Sequence, residues 1–403
     1  MKSYITRREI REINRKLFAH DIISSDYSES YIDEIISGII QRYNPEDKIA
    51  SVPTVLHLDK TSIHDKLLDK LSILNKDSVI IEINNSILAE HHLADIVREL
   101  SKQEYKLIIS INKSDTIFSL LNSFANYISF DIEDLPDVIL SRSSDVDSSI
   151  ERIAYNVNTP EDYALAESVG IKIYSGDYVG ETKKVELETN DHSKVNFIEI
   201  ISLINNDNSS VKDISKIIGR DSLMSAQIIR LSNSSYFGNL GKRIDSIEMA
   251  ITRIGLKNLK SWIFLIQFNN GDAPEDLLQT SYHRAVFCER LMKTYRNKEL
   301  STGDAYLIGL FSTVDVLTGK SMEDEIPRLN LSMIIEDALV YREGLGGTLL
   351  NLVKAYDEAN FRRIEKYSEQ FKADNNTLNK LYFESLDEVT KLWRSMTELG
   401  DVR

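Results

Sequence analysis

The first 180 residues alternate between two hydrophobic periods, and that alternation narrows the fold more than anything else in the chain. Short β-branched runs recur at Lys16–Ile23, Val52–Leu58, Val79–Ile83, Lys106–Ile111, Tyr127–Asp131, Arg152–Val157 and Ile171–Tyr174. Stretches with helical spacing separate them: Tyr31–Tyr43, Ser86–Gln103, Asp115–Ala125 and Pro160–Val169. Parallel strands need a crossover, usually a helix, so strand–helix alternation predicts a mainly parallel sheet. This many units favour a (β/α) barrel over an open sheet. Thr159 is placed to cap the helix that Pro160 begins, with Glu161 and Asp162 at its positive end. The basic N-terminal stretch, with Arg7, Arg8, Arg11, Arg15 and Lys16, reads as a solvated strand and hairpin.

The pattern changes after Glu181–Ser193, a polar stretch without a period. It places a linker at 184–193, between a first domain at 1–183 and a second at 194–403. Beyond it, Phe197, Ile200, Ile201 and Ile204 fall on one helical face. Gly219, Gly238, Gly241 and Gly255 sit where helices would stop. The expected fold class is therefore α/β followed by all-α.

Charge and cysteine usage exclude several functions. The net charge of −15 argues against binding nucleic acid or anionic lipid, which both rely on surface Lys and Arg. Cys288 is the single cysteine, so neither an intrachain disulfide nor a thiolate zinc cluster can form. The most apolar stretch, Trp262–Phe268, is too short to cross a bilayer, and Met1–Lys16 has no apolar signal region. A cytoplasmic protein with no membrane contact is expected. His91–His92 read as a solvated helix face, since adjacent helical positions point about 100° apart. Gly344, Gly346 and Gly347 read as an inter-helix turn, with no strand before them and no Walker lysine after.

The second half carries a specific resemblance. Asp221–Leu223, then Ile228–Gly238 with Asn233 and Ser234, then Ile244–Ile247, Ala250–Ile251 and Ile254–Leu256 with Gly255, resemble the signature of the HDOD domain. The match continues through Ala305–Phe311. Most of these residues read as structural. HDOD domains look like metal-dependent HD phosphohydrolases without their metal ligands. By this resemblance the His–Asp dyad is replaced by Ser312 and Thr313, whose hydroxyls are poor ligands for a transition metal.

A barrel followed by an HDOD domain resembles the EAL–HDOD signalling proteins. EAL barrels hydrolyse cyclic diguanylate using Mg²⁺ or Mn²⁺ held by carboxylates at strand ends. By resemblance, the family's first glutamate falls on Asp21, its arginine on Ser25, its asparagine on His57, and its third-strand glutamate on Glu82. The paired aspartates fall on Ser110 and Ile111, the lysine on Ser129, the late glutamate on Asn158 and the glutamine on Ser175. Asp21 and Glu82, with Asp131, remain as a vestigial ligand set. The resemblance thus implies a degenerate EAL-type barrel with no catalytic residues, no metal and no cofactor, beside a helical HDOD bundle that binds protein partners. Pairing of EAL relatives through their barrels implies a homodimer. Two alternatives stand beside this reading: a sensor that binds cyclic diguanylate or another nucleotide without hydrolysis, and a phosphohydrolase with relocated ligands.

Overall fold

The computed structural model describes residues 4–13, 16–25, 52–60, 67–112, 124–135, 150–176, 210–234, 243–256, 275–295, 299–318, 320–329 and 331–400, with isolated residues between them. Two compact units divide the chain, Met1–Thr182 with Tyr356–Phe361, and Lys183–Ala355 with Arg362–Arg403. Gly238, Gly241 and the linker residues 184–193 lie outside the described residues.

Eight strands close into a barrel in chain order. They are β1 Ile5–Glu12, β2 Leu17–Ser24, β3 Thr54–Leu58, β4 Val79–Asn84, β5 Lys106–Ser110, β6 Tyr127–Asp131, β7 Glu151–Tyr155 and β8 Ile173–Tyr174. Strands β2 to β8 run parallel, while β1 is antiparallel to both β2 and β8. The connection from β1 to β2 explains the exception: a hairpin this short can only return antiparallel. This corrects the expectation of a solvated N-terminal stretch. Paired on both sides, β1 has one face inside the barrel, and Arg8 and Ile10 lie on it.

The interior is layered by the two-residue strand period. One layer is apolar: Ile10, Ala19, Val55, Ile80, Ile108, Ile153 and Ile173 pack together, with Phe18 and Tyr127 against them. Two residues further along the parallel strands comes a polar layer of Asp21, His57, Glu82, Ser129, Tyr155 and Ser175. Because β1 runs the other way, its contribution to that layer lies two residues upstream, at Arg8.

Helices flank the barrel strands, among them α1 His91–Lys102 and α2 Pro160–Ser168. The α2 start is a capping box: Thr159 Oγ1 accepts from Asp162 N at 3.1 Å, and Asp162 Oδ2 accepts from Thr159 N at 3.0 Å.

The second unit is helical throughout its described residues. It includes α3 Val211–Ile218, α4 Ser222–Ser232, α5 Ile247–Ile254, α6 Glu275–Tyr295, α7 Thr302–Phe311, α8 Val314–Thr318, α9 Gly344–Asp357 and α10 Asn375–Gly400. Helix α6 is its axis. Phe287 and His283 meet Tyr382 of α10 edge-on, at 5.5 and 5.0 Å between ring centres. Arg290 clamps the same pair of helices by donating to Glu384 and Glu388 at 2.8 and 2.7 Å. Cys288 is fully buried. No helix among the described residues is long and apolar enough to cross a membrane.

Candidate functional site

The polar layer of the barrel gathers two carboxylates, an imidazole and a guanidinium. Asp21 of β2 is fully buried and Glu82 of β4 nearly so. His57 lies between them, with Nε2 at 2.5 Å from Asp21 Oδ1 and Nδ1 at 3.7 Å from Glu82 Oε2. The pairing of β3 and β4 sets His57 directly beside Glu82. Arg8 donates from Nη2 to Asp21 Oδ2 at 3.3 Å, and its guanidinium lies 5.6 Å from the centre of the Tyr155 ring. Two hydroxyls complete the layer. Ser129 Oγ donates to Glu82 Oε1 at 2.7 Å, and Tyr155 OH donates to Glu82 Oε2 at 2.6 Å.

The charges hold one another in place. Burial works against charging His57, but Asp21 and Glu82 outweigh it and lift the imidazole to about 9. Burial alone would raise the Asp21 carboxyl, yet His57 and Arg8 hold it below the usual carboxylate range. Glu82 is raised: burial dominates, His57 opposes it, Asp21 adds to it, and the Tyr155 and Ser129 hydroxyls pull partly back. Burial, and then the Glu82 charge, push the Tyr155 phenol well above its ordinary value. At neutral pH the layer therefore sets a charged His57 between Asp21 and Glu82.

Every oxygen of these carboxylates meets a hydrogen from the protein: His57 and Arg8 on Asp21, Ser129 and Tyr155 on Glu82. A metal ligand must present a lone pair, and a histidine protonated on both nitrogens presents none. In this arrangement the charged His57 has no lone pair to offer a divalent ion. Among the described residues no group of three or more His, Cys, Asp or Glu side chains is arranged to hold one.

The other residues singled out by sequence divide around this cluster. Asp131 does not join it directly. Its Oδ1 caps the turn after β6 by accepting from Glu133 N at 3.0 Å, and its Oδ2 accepts from Asn156 Nδ2. The link to the cluster runs through Asn156 Oδ1, which accepts from Arg8 Nη1 at 3.1 Å. Asn158 lies beyond β7 in the α2 cap, where its N donates to Asp162 at 3.1 Å. The residue following β7 is Asn156, in a left-handed conformation with φ of 59°. Ser175 Oγ donates to Glu9 O at 3.0 Å, and Ser25 Oγ accepts from Tyr4 N at 2.9 Å. Arg8, Tyr155 and Asn156 were not marked by the motif, and His57 appeared there only as a replacement.

In the helical unit the marked residues are joints. Asp221 Oδ1 accepts from Met224 N at 3.0 Å in the first turn of α4. Asn233 closes the other end of α4. It donates to Ile229 O and Ile244 O at 2.9 and 2.8 Å, and accepts from Ile244 N at 2.8 Å. Gly255 ends α5 at φ +79°, where a side chain would be strained. Ser234 Oγ is buried without a hydrogen-bond partner among the described residues. Ser312 Oγ donates to Gly309 O at 2.7 Å, and Thr313 Oγ1 meets Ser281 Oγ.

Residues 194–333 match the family model of the HDOD domain. The HDOD domain thus follows the eight-stranded barrel in one chain. Among curated proteins, the chain is 26% identical to the uncharacterized protein YuxH of Bacillus subtilis over 331 residues, 78% of each chain. It is 21% identical to the cyclic di-GMP phosphodiesterase CdgJ of Vibrio cholerae over 382 residues, 91% of this chain and 87% of CdgJ. Similar solved structures include the EAL domain of Mycobacterium smegmatis DcpA, at TM-score 0.38 and 12% identity over 45% of this chain and 92% of that one. The PaMucR phosphodiesterase in its c-di-GMP complex matches at TM-score 0.37 and 14% identity, over 45% and 96%.

Proposed function

We propose that the protein is a non-catalytic regulator in cyclic-dinucleotide signalling, with the barrel at 1–183 and the HDOD domain, within 194–403, as its output surface for protein partners. The observation that carries this reading is the closed charge network of the barrel. His57 stands between Asp21 and Glu82 as their counter-ion, and Ser129 offers a hydroxyl to Glu82 with no titrating amine. Removing a general base alone lowers a rate by about 10²- to 10⁴-fold, and removing metal assistance adds to that loss. The kinship with CdgJ supports the signalling class. The helical domain suits protein partners, since grooves between helices accept amphipathic segments.

The test is turnover. The 403-residue chain incubated with cyclic di-GMP and Mg²⁺ or Mn²⁺ is expected to release no linear product. Hydrolysis that disappears in Glu82→Gln would overturn the reading.

A further inference from the structure

One stretch of the helical unit is apolar on both sides and covered on only one. Residues 333–341 form a short helix, Met333–Glu336, that runs on into a π-helical turn, Asp337–Tyr341. Ile335, Ala338 and Leu339 are buried on one face. They are held closely: a Cβ on Gly346 of α9 would lie 2.8 Å from both Ala338 Cβ and Ile308 Cδ1 of α7. The opposite face carries Met333, Ile334 and Tyr341, at 77, 47 and 61% exposure. At roughly 100° per residue the three fall on one side of the helix, together with Asp337. A helix that is apolar all round is normally buried all round, so this one lacks a cover. Scattered exposed apolar residues need no explanation, but three in one short face do. The face begins at Met333, where the match to the HDOD model ends.

Carboxylates border this face. Asp337 lies on it, and Glu336 and Glu343 lie beside it. Glu343 N donates to Asp337 O at 3.1 Å, which keeps these two acids on neighbouring turns. None of the three carboxylates is paired with a described base. Arg342 is the one base within 333–343, and its Nη1 is buried. The short helix Met322–Glu325 packs against the π-turn, and there Glu325 holds Lys320 and Arg328 at 3.2 and 2.8 Å. The unpaired charge beside the apolar face is therefore negative.

We propose that Met333, Ile334 and Tyr341 dock a basic amphipathic helix of a partner protein. Its apolar stripe covers the three side chains, and its flanking Lys or Arg residues meet Glu336, Asp337 and Glu343. A second copy of this chain is the poorer occupant, because a symmetric contact would set the same carboxylates against one another. The inference rests on the reading of the helical domain as an output surface and names the place and the partner chemistry. Hydrolysis of cyclic di-GMP would overturn the non-catalytic reading of the barrel without touching the measurements below.

The probe is a short fluorescent peptide with Leu at helical spacing on one face and Lys on the other, beside a copy with Glu in place of Lys. Anisotropy at constant ionic strength reads binding to the 403-residue chain. The methyl signals of carbon-13 methionine-labelled protein locate it, with Met333→Leu identifying the signal of interest. The basic peptide is expected to bind and to shift Met333 while leaving Met249, which is also exposed, in place. Ile334→Ala with Tyr341→Ala should weaken binding at least about tenfold, as loss of an interface anchor does. Glu336→Lys with Glu343→Lys should weaken the basic peptide and admit the acidic one. No binding, equal binding of the two peptides, equal shifts at Met333 and Met249, or binding untouched by both double substitutions would overturn the proposal. So would self-association that the Ile334 and Tyr341 substitutions break, which would assign the face to a second copy.

Discussion

The His57→Ala protein is expected to lose roughly 3–5 kcal/mol of stability, the usual cost of removing one partner from a buried ion pair. Without the imidazolium, Asp21 and Glu82 remain buried and face each other with no cation between them. Arg8 cannot take over, because its guanidinium reaches Asp21 and Asn156 rather than Glu82. The pH dependence identifies the mechanism. The folded imidazole titrates at about 9, above its ordinary 6.5, so its contribution is full below the ordinary value and is lost as pH rises through about 9. Urea unfolding at neutral pH and again above that midpoint should show a gap between the two proteins that narrows in alkali. A difference under about 1 kcal/mol at neutral pH, the size of an exposed ion pair, would contradict a buried counter-ion role.

Gly309→Ala is expected to destabilise the helical unit by at least about 3 kcal/mol, at the upper end for overpacking. Helix propensity alone predicts the opposite sign, a gain of roughly 0.5–1 kcal/mol. The reason is the contact with α6. A methyl at Gly309 would sit 2.4 Å from the Arg284 carbonyl carbon and oxygen and 2.5 Å from Ala285 Cα. Those are backbone atoms, so no side chain can turn aside and the two helices must separate. Gly303 is the control in the same helix. It is exposed, and its added methyl meets only Ser301 Oγ at 3.7 Å. Thermal melts should place Gly303→Ala at or slightly above the unaltered protein and Gly309→Ala far below. Equal shifts in the two would refute the close approach of α6 and α7.

Local pattern carried much of this architecture. The β-branched runs became β2 to β8, and the Thr159–Pro160 signal became a capping box, because both depend on near neighbours. The first strand was harder to read. Its arginines look solvated in the chain, and only closure of the barrel on both of its edges turns Arg8 inward. The site was half legible. Asp21 and Glu82 were found from the motif, whereas the motif set His57 aside as a lost ligand and passed over Tyr155. A signal for them was present. Val55–His57, Ile80–Glu82 and Ile153–Tyr155 each place a polar residue two positions after an apolar interior one, which sets the three on one layer. What no local pattern supplies is the pairing across strands, since the register that brings His57 beside Glu82 belongs to the closed sheet. Asp131 ends its strand and caps the following turn, so its link to the cluster runs through Asn156 and Arg8.

His57 serves the barrel carboxylates as a counter-ion from the protein's own chain. Nitrogen-15 NMR of histidine-labelled protein, titrated from mildly acidic to alkaline pH, tests it directly, with His57→Ala identifying the resonance. His57 is expected to stay an imidazolium through neutral pH and to titrate at about 9. A midpoint near the ordinary value of about 6.5, or a neutral ring at neutral pH that shifts on adding Mg²⁺, would contradict it.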